Sequence, residues 1–124
     1  MANKKKSRIG DAGEAAARKY LEQRGYHIRH INWRYGHYEL DIVAEQGHML
    51  IIVEVKTRDE GRIIEPEDAV DNAKIRRTVS AADAYIHTFD LDLPVRFDIL
   101  SLIKHNDGTY HVEHIDDAFY APAR

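Results

Sequence analysis

The run Glu39-Leu40-Asp41-Ile42-Val43-Ala44, a turn at Gln46-Gly47 and the run Leu50-Ile51-Ile52-Val53-Glu54-Val55-Lys56-Thr57-Arg58 constrain this chain more than any other stretch. Two strand-like runs around a glycine turn read as a β-hairpin. Ile51, Val53 and Val55 line one side of the second strand, while Leu50 and Ile52 begin the other. A strand that is apolar on both sides belongs inside a sheet covered on both faces. Helical patterns precede and follow the hairpin, so the expected fold class is α/β, a central mixed β-sheet flanked by α-helices.

The charged residues of the hairpin break its apolar pattern in an ordered way. A two-residue turn at Gln46-Gly47, or a four-residue loop over Glu45–His48, sets position 43 opposite 50, 41 opposite 52 and 39 opposite 54. Opposed residues of an antiparallel pair share a face. Glu39, Asp41, Glu54 and Lys56 therefore project together near one end of the hairpin. Two carboxylates ~6 Å apart repel by roughly 2–3 kcal/mol at an effective dielectric of about 20. Against a total stability of about 5–15 kcal/mol, three acids and one lysine on one face need a counter-charge. A hard divalent cation such as Mg2+ or Mn2+ supplies one, since it prefers carboxylate oxygen and keeps several waters. The plainer alternative is a solvated rim in which Glu54 pairs with Lys56 or Arg58.

The remaining chain supplies the covering layers. Ile9 to Arg24 reads as a helix ended by Gly25, with Ile9, Gly13, Ala16, Ala17, Tyr20 and Leu21 as its apolar stripe. Glu14 borders that stripe near the helix N-terminus, where the dipole favours a carboxylate. Tyr26 to Arg34 reads as a strand in which a parity change around His30 signals a bulge. Core packing is the expectation for Trp33, whereas base stacking and packing both remain open for Tyr35. Pro66 opens a helical region to about His87, with Ala73, Ile75, Val79, Ala82, Tyr85 and Ile86 on its buried side. Lys74 and Arg77, together with Arg58 from the loop after the hairpin and Arg34, are candidate phosphate contacts. Val95 to Ile103 reads as an interior strand, Asn106-Asp107-Gly108 as a turn, and Thr109 to Ile115 as an edge strand.

Composition excludes several function classes. No run approaches transmembrane length, so no membrane partner is expected. The chain has no cysteine and 8 histidines. His27 and His30, like His111 and His114, are three apart on strands and point to opposite faces unless a bulge intervenes. Neither a His-Glu-x-x-His helix nor a thiolate supports zinc. No Walker loop, nucleophile elbow or dinucleotide fingerprint is present, and a cytoplasmic setting fits the lack of cysteine. Charge is unevenly spread. Residues 1–34 carry nine Lys/Arg and three Asp/Glu, net +6, while residues 35–124 carry nine and eighteen, net −9. Residues 1–8, with Lys4-Lys5-Lys6, read as a flexible basic arm, and residues 9–124 as a single domain.

Several blocks, in order, resemble a known family. Gly13-Glu14 with Ala17 and Tyr20-Leu21, Gly25-Tyr26, Asn32-Trp33-Arg34, Glu39 to Ala44 and Val53 to Arg58 resemble the YraN family of bacterial proteins. Lys74-Ile75-Arg76-Arg77, Arg96-Phe97-Asp98 and His114-Ile115 with Ala118-Phe119 fit it too. That family is regarded as similar to the restriction-endonuclease-like superfamily and to archaeal Holliday-junction resolvases. The resemblance implies a restriction-endonuclease-like fold and a Mg2+- or Mn2+-dependent endonuclease acting on DNA, branched or junction DNA included. Asp41 would be the first metal-ligand acid, although Leu40 stands where the superfamily often has proline. Glu54 and Lys56 would be the acid and lysine of its acid-x-lysine element, the Val55 carbonyl a further ligand, and Glu14 the acid of the first helix. A resolvase cuts two strands symmetrically, which favours a homodimer. The alternatives are a non-catalytic nucleic-acid-binding module of the same fold within a larger assembly, and a metal-free interaction domain whose acids pair with Arg58, Lys74 or Arg77.

Overall fold

The computed structural model describes residues 10–61 and 72–119. The basic arm and Pro66 lie outside these residues. Helix α1 spans Asp11–Gln23 and is followed by strands β1 His27–Tyr35, β2 Tyr38–Gln46 and β3 Met49–Asp59. Helix α2, Asn72–Thr88, then leads to β4 Val95–Lys104 and β5 Tyr110–Phe119. The five strands form one mixed sheet in the order β1-β2-β3-β4-β5, antiparallel except for the parallel β3–β4 pair joined through α2. This α/β arrangement is consistent with a restriction-endonuclease-like fold. No helix among the described residues is long and apolar enough to cross a membrane.

The doubly apolar strands produce a core on each side of the sheet. Ala17 and Leu21 of α1 pack with Ile42, Ala44, Ile51, Val53, Val55, Leu100 and Leu102. Ala81, Ala82 and Tyr85 of α2 pack with Val43, Leu50, Ile52, Phe97 and Phe119 on the other side. Small residues at Gly13 and Ala17 let α1 lie close to the sheet. Its end is fixed by Gly25 at φ 84°, with the Tyr26 N–H donating to the Leu21 carbonyl and the Gly25 N–H to the Glu22 carbonyl. That pattern is a Schellman motif.

Four elements differ from the sequence reading. The β2–β3 turn is Gly47-His48, with Gln46 opposite Met49, Val43 opposite Ile52 and Ile42 opposite Val53. Gly47, at φ 61°, holds the first central position, where a II′ turn places glycine. The register thus slips by two residues from the expected one, and because two is the side-chain period, the slip itself moves no side chain to the other face. On α2 the buried positions are Thr78, Ala81, Ala82 and Tyr85, while Ala73 is exposed. Strand β5 runs to Phe119 rather than Ile115, past an irregularity in its pairing between Phe97 and Ile99, because Phe119 stacks on Phe97 with centroids 5.0 Å apart.

The fourth difference shapes the site. The expected bulge is present between Ile28 and His30. A second irregularity follows at Asn32, whose φ is 55°. The β1–β2 ladder pairs Ile31 with Ile42 and Trp33 with Leu40 on either side of it. Ile31 and Ile42 belong to the α1 side, whereas Trp33 and Leu40 belong to the α2 side. One left-handed residue therefore turns the hairpin tip toward α2.

Candidate active site

Asp41 lies on β2 one residue before Ile42, which pairs with Val53 of β3. Its Oδ2 accepts the backbone N–H of Val55 on that strand at 2.8 Å. Glu54 is the residue before Val55, and its alternation with Ile52 directs it to the α2 side. Both acids are buried, Asp41 at 4 % and Glu54 at 6 % exposure. Desolvating a carboxylate costs several kcal/mol unless it is partnered. Part of the compensation comes from α2, where Lys74 Nζ lies 3.2 Å from Glu54 Oε2.

Asp41 and Lys74 border a cleft of about 420 Å³. His37, Tyr38, Glu39 and Asp41 form one wall, and Lys74, Arg76, Arg77, Thr78 and Ser80 the other. The acids thus sit on the sheet wall and the cations on the helix wall, an arrangement that can hold a cation at one side and a phosphate at the other.

The remaining candidates are distributed unevenly. Lys56 follows Glu54 on the same side of β3, half-buried, and Arg58 is half-buried two residues on. Arg34 forms an ion pair with Glu39 at 2.6 Å near the β1–β2 tip. Glu14 stands in the first turn of α1, 3.9 Å from Arg18, and α1 covers the opposite core. Among the described residues no three His, Asp or Glu side chains converge in a way that would hold a metal. Asp41 and Glu54 are the buried acids of β2 and β3. Arg76, Tyr38 and His37 are cleft residues that sequence reasoning missed. The adjacency of Arg76 to Arg77 was a signal for the first, while the other two depend on the turn of the hairpin tip.

A second polar network occupies the α1 side. Asp98, fully buried, receives Arg96 Nε and Nη2 at 2.8 Å each, and the Asp117 backbone N–H at 3.0 Å. His114 Nε2 lies 2.7 Å from its Oδ2. Tyr26 and Tyr20 hydroxyls continue the network through Arg96 and His114. Burial by itself would raise the Asp98 carboxyl, but the hydrogen bonds from Arg96, His114 and the Asp117 N–H outweigh it and hold the group below the ordinary carboxylate range. Asp117, at φ 53°, lies in the irregular stretch of β5 that delivers this donor. The network accounts for the Arg96-Phe97-Asp98 and His114 blocks as structural ties.

Comparison with known proteins adds relatives along almost the whole chain. A protein from Parabacteroides distasonis is 57% identical over 116 residues, covering 94% of this chain and 95% of its own. One from Bacteroides thetaiotaomicron is 57% identical over 114 residues, 92% of this chain and 93% of its own. One from Christiangramia forsetii is 42% identical over 112 residues, 90% and 93% of the two chains. All three bear the name UPF0102 protein. The family model described as uncharacterised protein family UPF0102 matches residues 13–102, the span from α1 through Leu102 of β4 that contains both acids and the cleft. The chain belongs to the uncharacterised protein family UPF0102, the YraN family whose sequence blocks it carries.

Proposed function

We propose that the chain is a metal-dependent endonuclease that hydrolyses phosphodiester bonds in DNA, with branched or junction DNA among its substrates. The observation that carries this reading is the burial of Asp41 and Glu54 on neighbouring strands, with Asp41 lining a cleft walled by Lys74, Arg76 and Arg77 and Glu54 paired with Lys74. Two carboxylates fit Mg2+ or Mn2+, which take one or two protein carboxylates and keep their remaining waters. Asp41, Glu54 and the Val55 carbonyl would hold the ion, and Glu14 would act through water. A bound divalent ion supplies an acidified water and neutralises charge on the phosphate.

The chain's own groups do the rest. Asp41 is fixed by the Val55 N–H, so its carboxylate is oriented before any ligand arrives. Lys56, a charged donor, orients the attacking water or steadies the pentavalent phosphorus. Lys74, Arg77 and Arg58 hold the flanking phosphates, and Arg34 serves the same strand from the hairpin tip. A cytoplasmic setting and a two-fold homodimer for symmetric junction cutting belong to the same proposal.

The Lys74–Glu54 ion pair also suits a metal-free interaction domain. Titration calorimetry with Mn2+ separates the readings, because that domain binds no ion. A cleavage assay on plain, flapped and four-way DNA with Mg2+ or Mn2+ tests the nuclease. Cleavage that survives Glu54→Ala and Lys56→Ala would reject the assignment, while ion binding without cleavage would favour a non-catalytic nucleic-acid-binding module.

A further inference from the structure

We propose that Tyr35 is a stacking platform for an unpaired base of the DNA substrate, so that the chain selects DNA with a single-stranded segment next to the cleavage point. The Tyr35 ring lies on Trp33 with centroids 5.9 Å apart and planes 4° from parallel. Tyr35 is nevertheless 56 % exposed, more than Phe89 or Ile115, the other exposed large apolar side chains of the described residues. With one face taken by Trp33, its exposed area falls on the other face and the edge.

The stack is held rigid from beneath. Trp33 meets the buried Tyr85 edge-on at 5.0 Å, and the Tyr85 hydroxyl accepts Arg29 Nε at 2.8 Å and lies 2.7 Å from His30 Nδ1. A flat ring fixed in advance takes a base at little ordering cost, and every base offers a π-face regardless of sequence. Bases inside a duplex are already stacked on both faces, so a platform of this kind discriminates in favour of unpaired ones.

Position and charge also point to a base rather than to another partner. Tyr35 pairs with Tyr38 at the hairpin tip, and Tyr38 borders the basic cleft together with Asp41. Three residue steps along the strand lead from Tyr38 to Asp41, about 10 Å at the usual rise, or roughly three base steps of 3.4 Å. Tyr35 itself borders an adjoining recess with Asp83, Ala84, His87 and Thr88. Among the described residues that recess has no Lys or Arg, and its His87 lies 3.6 Å from Asp83. Phosphates thus belong to the cleft of Lys74, Arg76 and Arg77, and the neutral face of a base belongs to the recess.

The proposal takes its location beside Asp41 from the nuclease reading, but it is tested without cleavage. The probe is a duplex with a single-stranded overhang carrying 2-aminopurine, in Ca2+ or EDTA, beside a blunt duplex of the same sequence. The full chain is expected to prefer the overhang and to quench the 2-aminopurine emission. Tyr35→Ala is expected to weaken overhang binding roughly 5- to 150-fold, the range of one lost base stack, and to abolish the quenching. Tyr35→Phe, which keeps the ring, restores both. Overhang affinity unchanged by Tyr35→Ala, or no quenching by the wild-type chain, overturns the proposal and leaves the nuclease reading standing. Ring-dependent overhang binding in a chain that cuts nothing would support the platform and remove the nuclease. A shift of oligomeric state in Tyr35→Ala with overhang binding intact would make the ring a protein contact and overturn it as well.

Discussion

Lys74 on α2 and Glu54 on β3 are joined by a 3.2 Å ion pair across the helix–sheet interface, with the carboxylate nearly buried and the ammonium a third exposed. Replacing Lys74 by Met keeps the stem and removes the charge. Because Lys74 is part-exposed and Glu54 has further interactions, the expected loss is about 1–2 kcal/mol. It should appear as a lower urea midpoint in EDTA. Mn2+ should return part of that loss, since an ion bound only by the folded state raises its stability.

Asp41→Asn keeps an oxygen acceptor for the Val55 N–H while removing the negative charge. This variant and Glu54→Gln are expected to fold and to lose Mn2+ binding in calorimetry. Their cleavage rates should fall by at least about 100-fold, the equivalent of roughly 3 kcal/mol of transition-state stabilisation.

Acid should attack the opposite face of the sheet first. Asp98 is depressed in the folded state, after its burial has been outweighed by Arg96, His114 and the Asp117 N–H. A depressed carboxyl contributes stability that is fully present above its unfolded value near ~3.9 and is lost as pH falls through the folded value. Urea midpoints measured from pH 7 downward should therefore drop steeply below about pH 4. Asp98→Asn should flatten that drop while lowering stability at neutral pH. Arg96→Met should cost about 3 kcal/mol or more at neutral pH, because it leaves a buried charge without its two-pronged donor.

Gly25→Ala tests the boundary between α1 and β1. At φ 84° an alanine meets backbone strain, and nothing within 4 Å obstructs the added methyl. The expected cost is about 1 kcal/mol, read as a melting temperature lower by a few degrees.

The face expected for Asp41 and Glu54 does not depend on the exact turn, because alternation survives an even slip. Moving the turn to Gly47-His48 changed the partner of Val43 from position 50 to Ile52 without changing the face of Asp41 or Glu54. Local rules failed where one residue overrode the period. Ile31 and Trp33 share parity, yet the left-handed Asn32 sends them to different cores. The Asp98 network was hidden for another reason. Its members come from residue 20 to residue 117, and only the sheet order and the β5 irregularity bring them together. Lys74 fell between these cases. The sequence offered it as a candidate cation, but only the packing of α2 on the sheet sets it 3.2 Å from Glu54.

Asp41 and Glu54 come from adjoining strands thirteen positions apart, whereas the cations opposite them arrive on a later helix. The groups suited to reaction chemistry and the surface suited to choosing what enters are thus inherited on separate pieces of chain. On the proposed nuclease reading, divergence along α2 retunes the guest while the two acids stay as they are.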